Sequence, residues 1–114
     1  MIISISTVKK KTALAEAAKV TRESITESNI EVFGVMWQVG TVDRDKIRSA
    51  IATADLLGEN APGSIGWILA DNTVRETTLL DLKYVMLAHA LRMDDVFKAY
   101  TIWRSGNKSH PFQM

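Results

Sequence analysis

The side chains whose types and spacing could support metal or proton chemistry are His89, His110, Asp43 with Asp45, and the pair Asp94-Asp95. A metal pair on a helix needs a second His or a carboxylate one turn away. His89 has no Asp or Glu four residues to either side and no second His within a turn. It reads as an imidazole packed or half-exposed at the border of an apolar helix face, and His110 sits in a polar tail. Asp43 and Asp45 lack the further oxygens, central glycine and final Glu of a calcium loop, and helix capping accounts for Asp43. Asp94 and Asp95 point about 100° apart on a helix, whereas a catalytic carboxylate pair flanks a cleft. The chain has no glycine-rich phosphate loop and no serine nucleophile elbow. Cysteine is absent, which excludes disulfides, thiolate zinc sites and thiol nucleophiles. The expectation is a protein that is not an enzyme and holds no metal or cofactor.

The remaining candidates are binding residues. Trp37 and Trp67 each lie on a strand among apolar neighbours and read as core, with sugar or base stacking the alternative. Trp103 lies beside Arg104 with Tyr100 one turn back. That cluster reads equally as a contact surface and as intramolecular core. Lys9, Lys10 and Lys11 read as a solvated helix start, with a phosphate-binding patch the alternative.

These residues need elements to position them. Residues 1–8 alternate polar and apolar, as a short strand or extended arm would. From Thr12 to Ser28 there is no Gly or Pro, and Leu14, Ala18, Thr21 and Ile25 step at helical spacing. This weak stripe suits a helix that packs lightly on the domain, or one that pairs with copies of itself. Asn29 is the expected stop. Ile30–Val39 forms a first β unit, with Val32 and Val35 flanking a turn at Gly34 and Trp37 on the return. Thr41 or Asp43 caps a second helix carrying Ile47, Ala50, Ile51, Ala54 and Leu57, which Gly58 ends. Pro62-Gly63 is a loop. Ile65–Val74 forms a second hairpin turning at Asp71-Asn72. Thr77 or Thr78 caps the last helix, Thr78 with Asp81 as a capping box. Leu79, Leu82, Val85, Met86, Ala90, Met93, Phe97 and Tyr100 form its apolar stripe. One long helix to about Trp103 is expected, rather than a break at Asp94-Asp95.

The fold class that follows is α+β. A small antiparallel sheet of two β units packs against two helices, with an N-terminal helical arm. The domains are residues 1–29 as arm and helix, 30–104 as the compact domain and 105–114 as a tail. The core residues are Val32, Gly34, Trp37, Ile47, Ile51, Trp67, Leu82 and Met86. A length of 114 residues buries roughly 65% of the unfolded surface, enough for one core. With 14 basic and 13 acidic residues, bulk charge gives no argument for nucleic acid. No stretch reaches the roughly 18 apolar residues of a membrane span. The order of apolar and basic residues at the start is the reverse of a secretory signal. A soluble protein made in a cytoplasm is expected.

The ordered set resembles a small domain of unassigned molecular function found in tailed-bacteriophage tail-fibre and tail-fibre-assembly proteins. The matching residues are Val32, Gly34 and Trp37 in the first turn, then Arg44, Ile47 and Ile51 in the second helix. Trp67, Ala70, Asp71, Asn72, Thr73 and Val74 follow in the hairpin, and Leu79 and Leu82 open the last helix. The resemblance spans about residues 14–90. Gly40-Thr41-Val42 departs from a pattern that more often has an acidic residue earlier, and residues 96–114 have no counterpart in it. The resemblance implies a tail-associated structural or assembly role, in the virion tail or in the host cytoplasm during assembly. Its partners are then other tail proteins, fibre or baseplate, with homo-oligomers possible. Leu14, Ile25, Tyr100, Trp103 and Arg104 are the expected contact residues. The alternative is a small nucleic-acid-binding regulator with Lys9, Lys10, Lys11, Arg44, Lys46 and Arg48 as its basic face.

Overall fold

In a computed structural model, which describes residues 5–106 and 110–114, the order is helix, hairpin, helix, hairpin, helix. Helix α1 is Ile5–Glu27, and strands β1 (Ile30–Val32) and β2 (Val35–Trp37) form the first hairpin. Helix α2 is Thr41–Leu57, extended by one 3₁₀ turn at Gly58–Asn60. Strands β3 (Ile65–Ile68) and β4 (Val74–Thr77) form the second hairpin, and α3 runs Leu79–Ser105. The α+β class is as expected. The two β units, however, are separate two-stranded antiparallel ladders rather than one sheet. A single backbone hydrogen bond joins them, from Ala70 N to Met36 O at 3.1 Å.

The chain forms two compact units, one of Glu27–Leu91 and one of the residues before and after it. The unit boundaries fall between Thr26 and Glu27 and, inside α3, between Leu91 and Arg92.

In the unit of Glu27–Leu91, Trp37, Val39, Ile47, Leu69, Leu82 and Val85 form the buried cluster. Ile30, Val32, Val35, Ala50, Ile51, Ile65, Trp67 and Met86 pack around it. Alternation explains the hairpins: Ile30 and Val32 face inward while Glu31 faces out, and Thr77 is buried while Glu76 is exposed. The β1–β2 register pairs Val32 with Val35, so only Phe33 and Gly34 make the turn. Both have positive φ, 58° and 73°, as a type I′ turn requires. Glycine adopts this freely, but a bulky Phe does so at a cost of about 1–2 kcal/mol. Trp37 swings back over its own hairpin and donates its indole N–H to Val32 O at 2.9 Å.

The second hairpin turns by another means. Its loop spans Leu69–Thr73, and Asn72 takes the positive φ of 68° that Asn tolerates. Asp71 accepts from the Thr73 backbone N–H at 3.0 Å and from its hydroxyl at 2.6 Å. The return strand starts at Val74, not Thr73, so Thr77 is a buried strand residue and not a helix cap. The expected capping box is present: Asp81 N–H donates to Thr78 Oγ1 at 3.0 Å and Thr78 N–H to Asp81 Oδ2 at 3.1 Å.

Three other expectations need correction. Helix α1 begins at Ile5, so residues 5–8 are not a strand, and residues 1–4 lie outside the described residues. Asn29 ends α1 without a left-handed backbone. Neither Thr41 nor Asp43 caps α2, because the N-cap is Gly40, which makes no side-chain bond. Helix α3 is unbroken at Asp94-Asp95, and its buried positions include Val96 while Ala90 and Phe97 are exposed.

Candidate functional site

Surfaces that could recognise something are built differently in the two units. In the unit that includes Arg92 onward, the last three turns of α3 carry Tyr100 and Trp103 on one side. The chain after the helix returns there, burying Phe112 to 3% exposure. Ring centroids lie 5.5 Å apart for Tyr100–Phe112, 5.9 Å for Tyr100–Trp103 and 6.0 Å for Trp103–Phe112. The Trp103 indole donates to His110 O at 2.7 Å, and the Arg22 guanidinium stands 4.5 Å over the Tyr100 ring. Tyr100 and Trp103 are thus partly buried in an intramolecular aromatic cluster. Around it Phe97 and Ile102 are 65% and 73% exposed, and Arg104 is exposed. Leu14 and Ile25 are half-buried on α1, on the same stripe as the fully buried Ala18. Asp94 forms an exposed one-turn ion pair with Lys98 at 2.8 Å, a solvated helix edge.

In the unit of Glu27–Leu91 two polar arrangements position the elements. Glu27 accepts the Thr41 backbone N–H at 2.6 Å and the Thr41 hydroxyl, and Arg44 lies 3.6 Å away. Its carboxylate therefore sits on the N-terminal end of α2, where the helix dipole favours an anion. The Thr41 hydroxyl, then the Thr41 amide, hold the Glu27 carboxyl below the usual range; Arg44 and His89 add to this. A Cβ at Gly40 would stand 2.9 Å from Glu27 Oε2, so the glycine gives the carboxylate its room. Arg75 joins the two hairpins. Its guanidinium stands 5.2 Å from the Phe33 ring centre and 5.4 Å from that of Trp37, and bonds Asp81 at 3.1 Å. The Thr78 amide leads in holding the Asp81 carboxyl low, with Arg75 contributing.

Two clefts open on this unit. One, of about 150 Å³, is lined mainly by Ala50, Ala54, Leu57, Ile65, Leu79 and Leu82. Of the hydroxyls at its edge, that of Ser64 is engaged with Glu76 and that of Thr77 with Arg75 O. The other, of about 280 Å³, is a shallow recess beside Trp67 with Asp43 and Lys46 at its rim. His89 is buried to 4% exposure, packed rather than half-exposed at the border of the apolar face. Among the described residues no group of three His, Asp or Glu could hold a metal ion. No helix among them is long and apolar enough to cross a membrane. Of the expected basic face, Arg44 is engaged with Glu27 and Arg48 pairs with Asp45 at 3.2 Å.

The residues that sequence reasoning missed are on α3. Leu80, Tyr84, Leu87 and Leu91 are between 48% and 59% exposed, on the side away from the buried Leu82, Val85 and His89. Phe33, 48% exposed, meets Tyr84 edge-on at 5.9 Å. The available signal is the run Tyr84–Leu91, eight residues with no charge, too apolar for a helix with only one covered face.

The family model described as a domain of unknown function (DUF4376) matches residues 9–104. The match reaches further than residues 14–90 at both ends. No curated protein and no solved structure matches the chain.

Proposed function

We propose that this chain, which belongs to the DUF4376 family, is a bacteriophage tail-associated protein, structural or assisting tail-fibre assembly, that acts by binding other proteins. The protein-contact reading is carried by the end of α3. A fixed cluster of Tyr100, Trp103 and Phe112 is bordered by exposed Phe97, Ile102 and Arg104. Preorganised aromatic rings beside an arginine are the usual make-up of interface hot spots, and the chain's own fold leaves Phe97 and Ile102 open to a partner. The tail context is supported by the hairpin Trp67, Ala70, Asp71, Asn72, Thr73 and Val74 and its resemblance to tail-fibre-associated domains. The partners are tail-fibre or baseplate proteins, met in the host cytoplasm during assembly or in the virion tail.

Co-sedimentation of the full chain with purified fibre and baseplate proteins tests this. Binding is expected, and Ile102→Asp is expected to weaken it at least about tenfold with the helical signal unchanged. Absence of affinity for every tail component, with the chain folded, would remove the proposal.

A further inference from the structure

We infer that the exposed face of α3 from Leu80 to Leu91 is a homodimer interface, in which two copies of this chain lay these helices side by side and antiparallel. This rests on helix α3 and the Phe33 turn and is independent of the tail assignment.

The stripe Leu80, Tyr84, Leu87, Leu91 steps by four, three and four residues, the spacing of a helix–helix seam. Each member is about half exposed. The opposite face, with Leu82, Val85 and His89, is buried. This part of α3 is therefore apolar on two sides, and a helix apolar all round belongs in an interior. Five large side chains, Phe33 included, are about half open. At about 200 Å² for a fully open ring, and less for each leucine, they offer at most about 500 Å². That ceiling is more than half of the ~800 Å² each partner gives a standard interface.

The occupant is read from symmetry and charge. A four-three-four spacing is the same in both directions. A two-fold axis between Tyr84 and Leu87 sets Leu80 against Leu91 of the second copy and Tyr84 against Leu87 of the second copy, as an isologous contact requires. The residues flanking the seam are Asp81 and Lys83 near one end and Ala88 and Ala90 near the other. Antiparallel pairing brings each charge beside an alanine of the second copy, so no like charges meet and the backbones can approach. Parallel pairing extends the same spacing to Asp94 and Lys98, each then facing its own copy across the seam. Phe33 adds a second observation. It holds a left-handed φ of 58° at a hairpin tip, where its half-exposed ring meets Tyr84. Strain kept at such a site points to use of the ring, here as the edge of the covered stripe.

Sedimentation equilibrium of the full chain, with cysteine cross-linking, tests the inference. The chain has no cysteine, so introduced thiols report alone. The wild type is expected to be a dimer at micromolar concentration. Leu87→Asp, at a position exposed in the monomer, is expected to raise the dimer Kd at least about a hundredfold with its helical signal kept. Leu80→Cys combined with Leu91→Cys is expected to give a disulfide-linked dimer under mild oxidant, while Leu80→Cys alone gives none. The two positions lie about 16 Å apart along one helix, beyond the ~7 Å that a disulfide spans within a chain. A wild type monomeric at every accessible concentration would overturn the inference and give the stripe to a different protein. A covalent dimer from Leu80→Cys alone would overturn the antiparallel arrangement.

Discussion

The two hairpins have the same task, to return a short strand and hold a tryptophan near the core, and they do it with opposite economies. The Asp71-Asn72 turn satisfies itself locally, since Asp71 binds the Thr73 amide and hydroxyl and Asn72 tolerates its backbone angle. The Phe33-Gly34 turn sets a bulky ring in a left-handed conformation and depends on what lies outside it. Trp37 bonds back to Val32 O, Arg75 stacks on Phe33 and Tyr84 meets its edge. A turn that tertiary contacts must hold has a reason to be there beyond turning, whereas a self-contained turn needs none.

Substitutions in the two hairpins test this difference. The largest effect is expected at the tryptophans. Trp37→Ala, at a fully buried ring, should lose about 3–5 kcal/mol in urea unfolding. Trp67→Ala, at a partly exposed ring, should lose no more than about half as much. Equal losses would mean that the hairpins are anchored alike. Next, Gly34→Ala should cost about 1–2 kcal/mol, since φ is 73° with open space around it. Phe33→Asn supplies the Asn-Gly pair that a type I′ turn prefers but gives up the ring contacts with Tyr84 and Arg75, so relief of about 1–2 kcal/mol of strain is offset and the monomer should change by less than about 1 kcal/mol, read at concentrations too low for association.

The smallest effect is expected at Asp71. The Thr73 hydroxyl first, then its amide, hold the Asp71 carboxyl below the usual range, as partners in kind do for Glu27 and Asp81. A carboxylate depressed in the folded state adds stability that is present above its unfolded pKa and lost as pH falls through the folded one. Melting temperature should therefore drop on the acid side of about pH 4, and Asp71→Ala should reduce that drop slightly. A drop left unchanged would mean that the turn is not held by its carboxylate.

What was legible in the sequence follows the same division between local and distant causes. The capping box of Thr78 and Asp81, the Gly58 stop and the polar hairpin turn are fixed by neighbours in the chain, and each could be named from spacing. The cap on α2 could not, because Glu27 reaches it from fourteen residues away and nothing near Thr41 announces that. Trp37, Ile47 and Leu82 were readable as core from alternation and helical period. Phe97 was assigned to the covered stripe because period alone cannot tell which of two apolar faces of α3 is covered. The same ambiguity hid Leu80, Tyr84, Leu87 and Leu91. The aromatic end was half legible: the cluster of Tyr100 and Trp103 was visible, but its closure by Phe112 depends on a return of the chain.

The exposed face of α3 is built to pair with a second copy of this chain, and the strained first hairpin serves that pairing. Sedimentation equilibrium of Phe33→Asn beside the wild type tests it most directly. The variant is expected to melt close to the wild type when dilute yet to self-associate more weakly, by about tenfold in Kd. Equal association by the two proteins, or a wild type that remains monomeric, would contradict it.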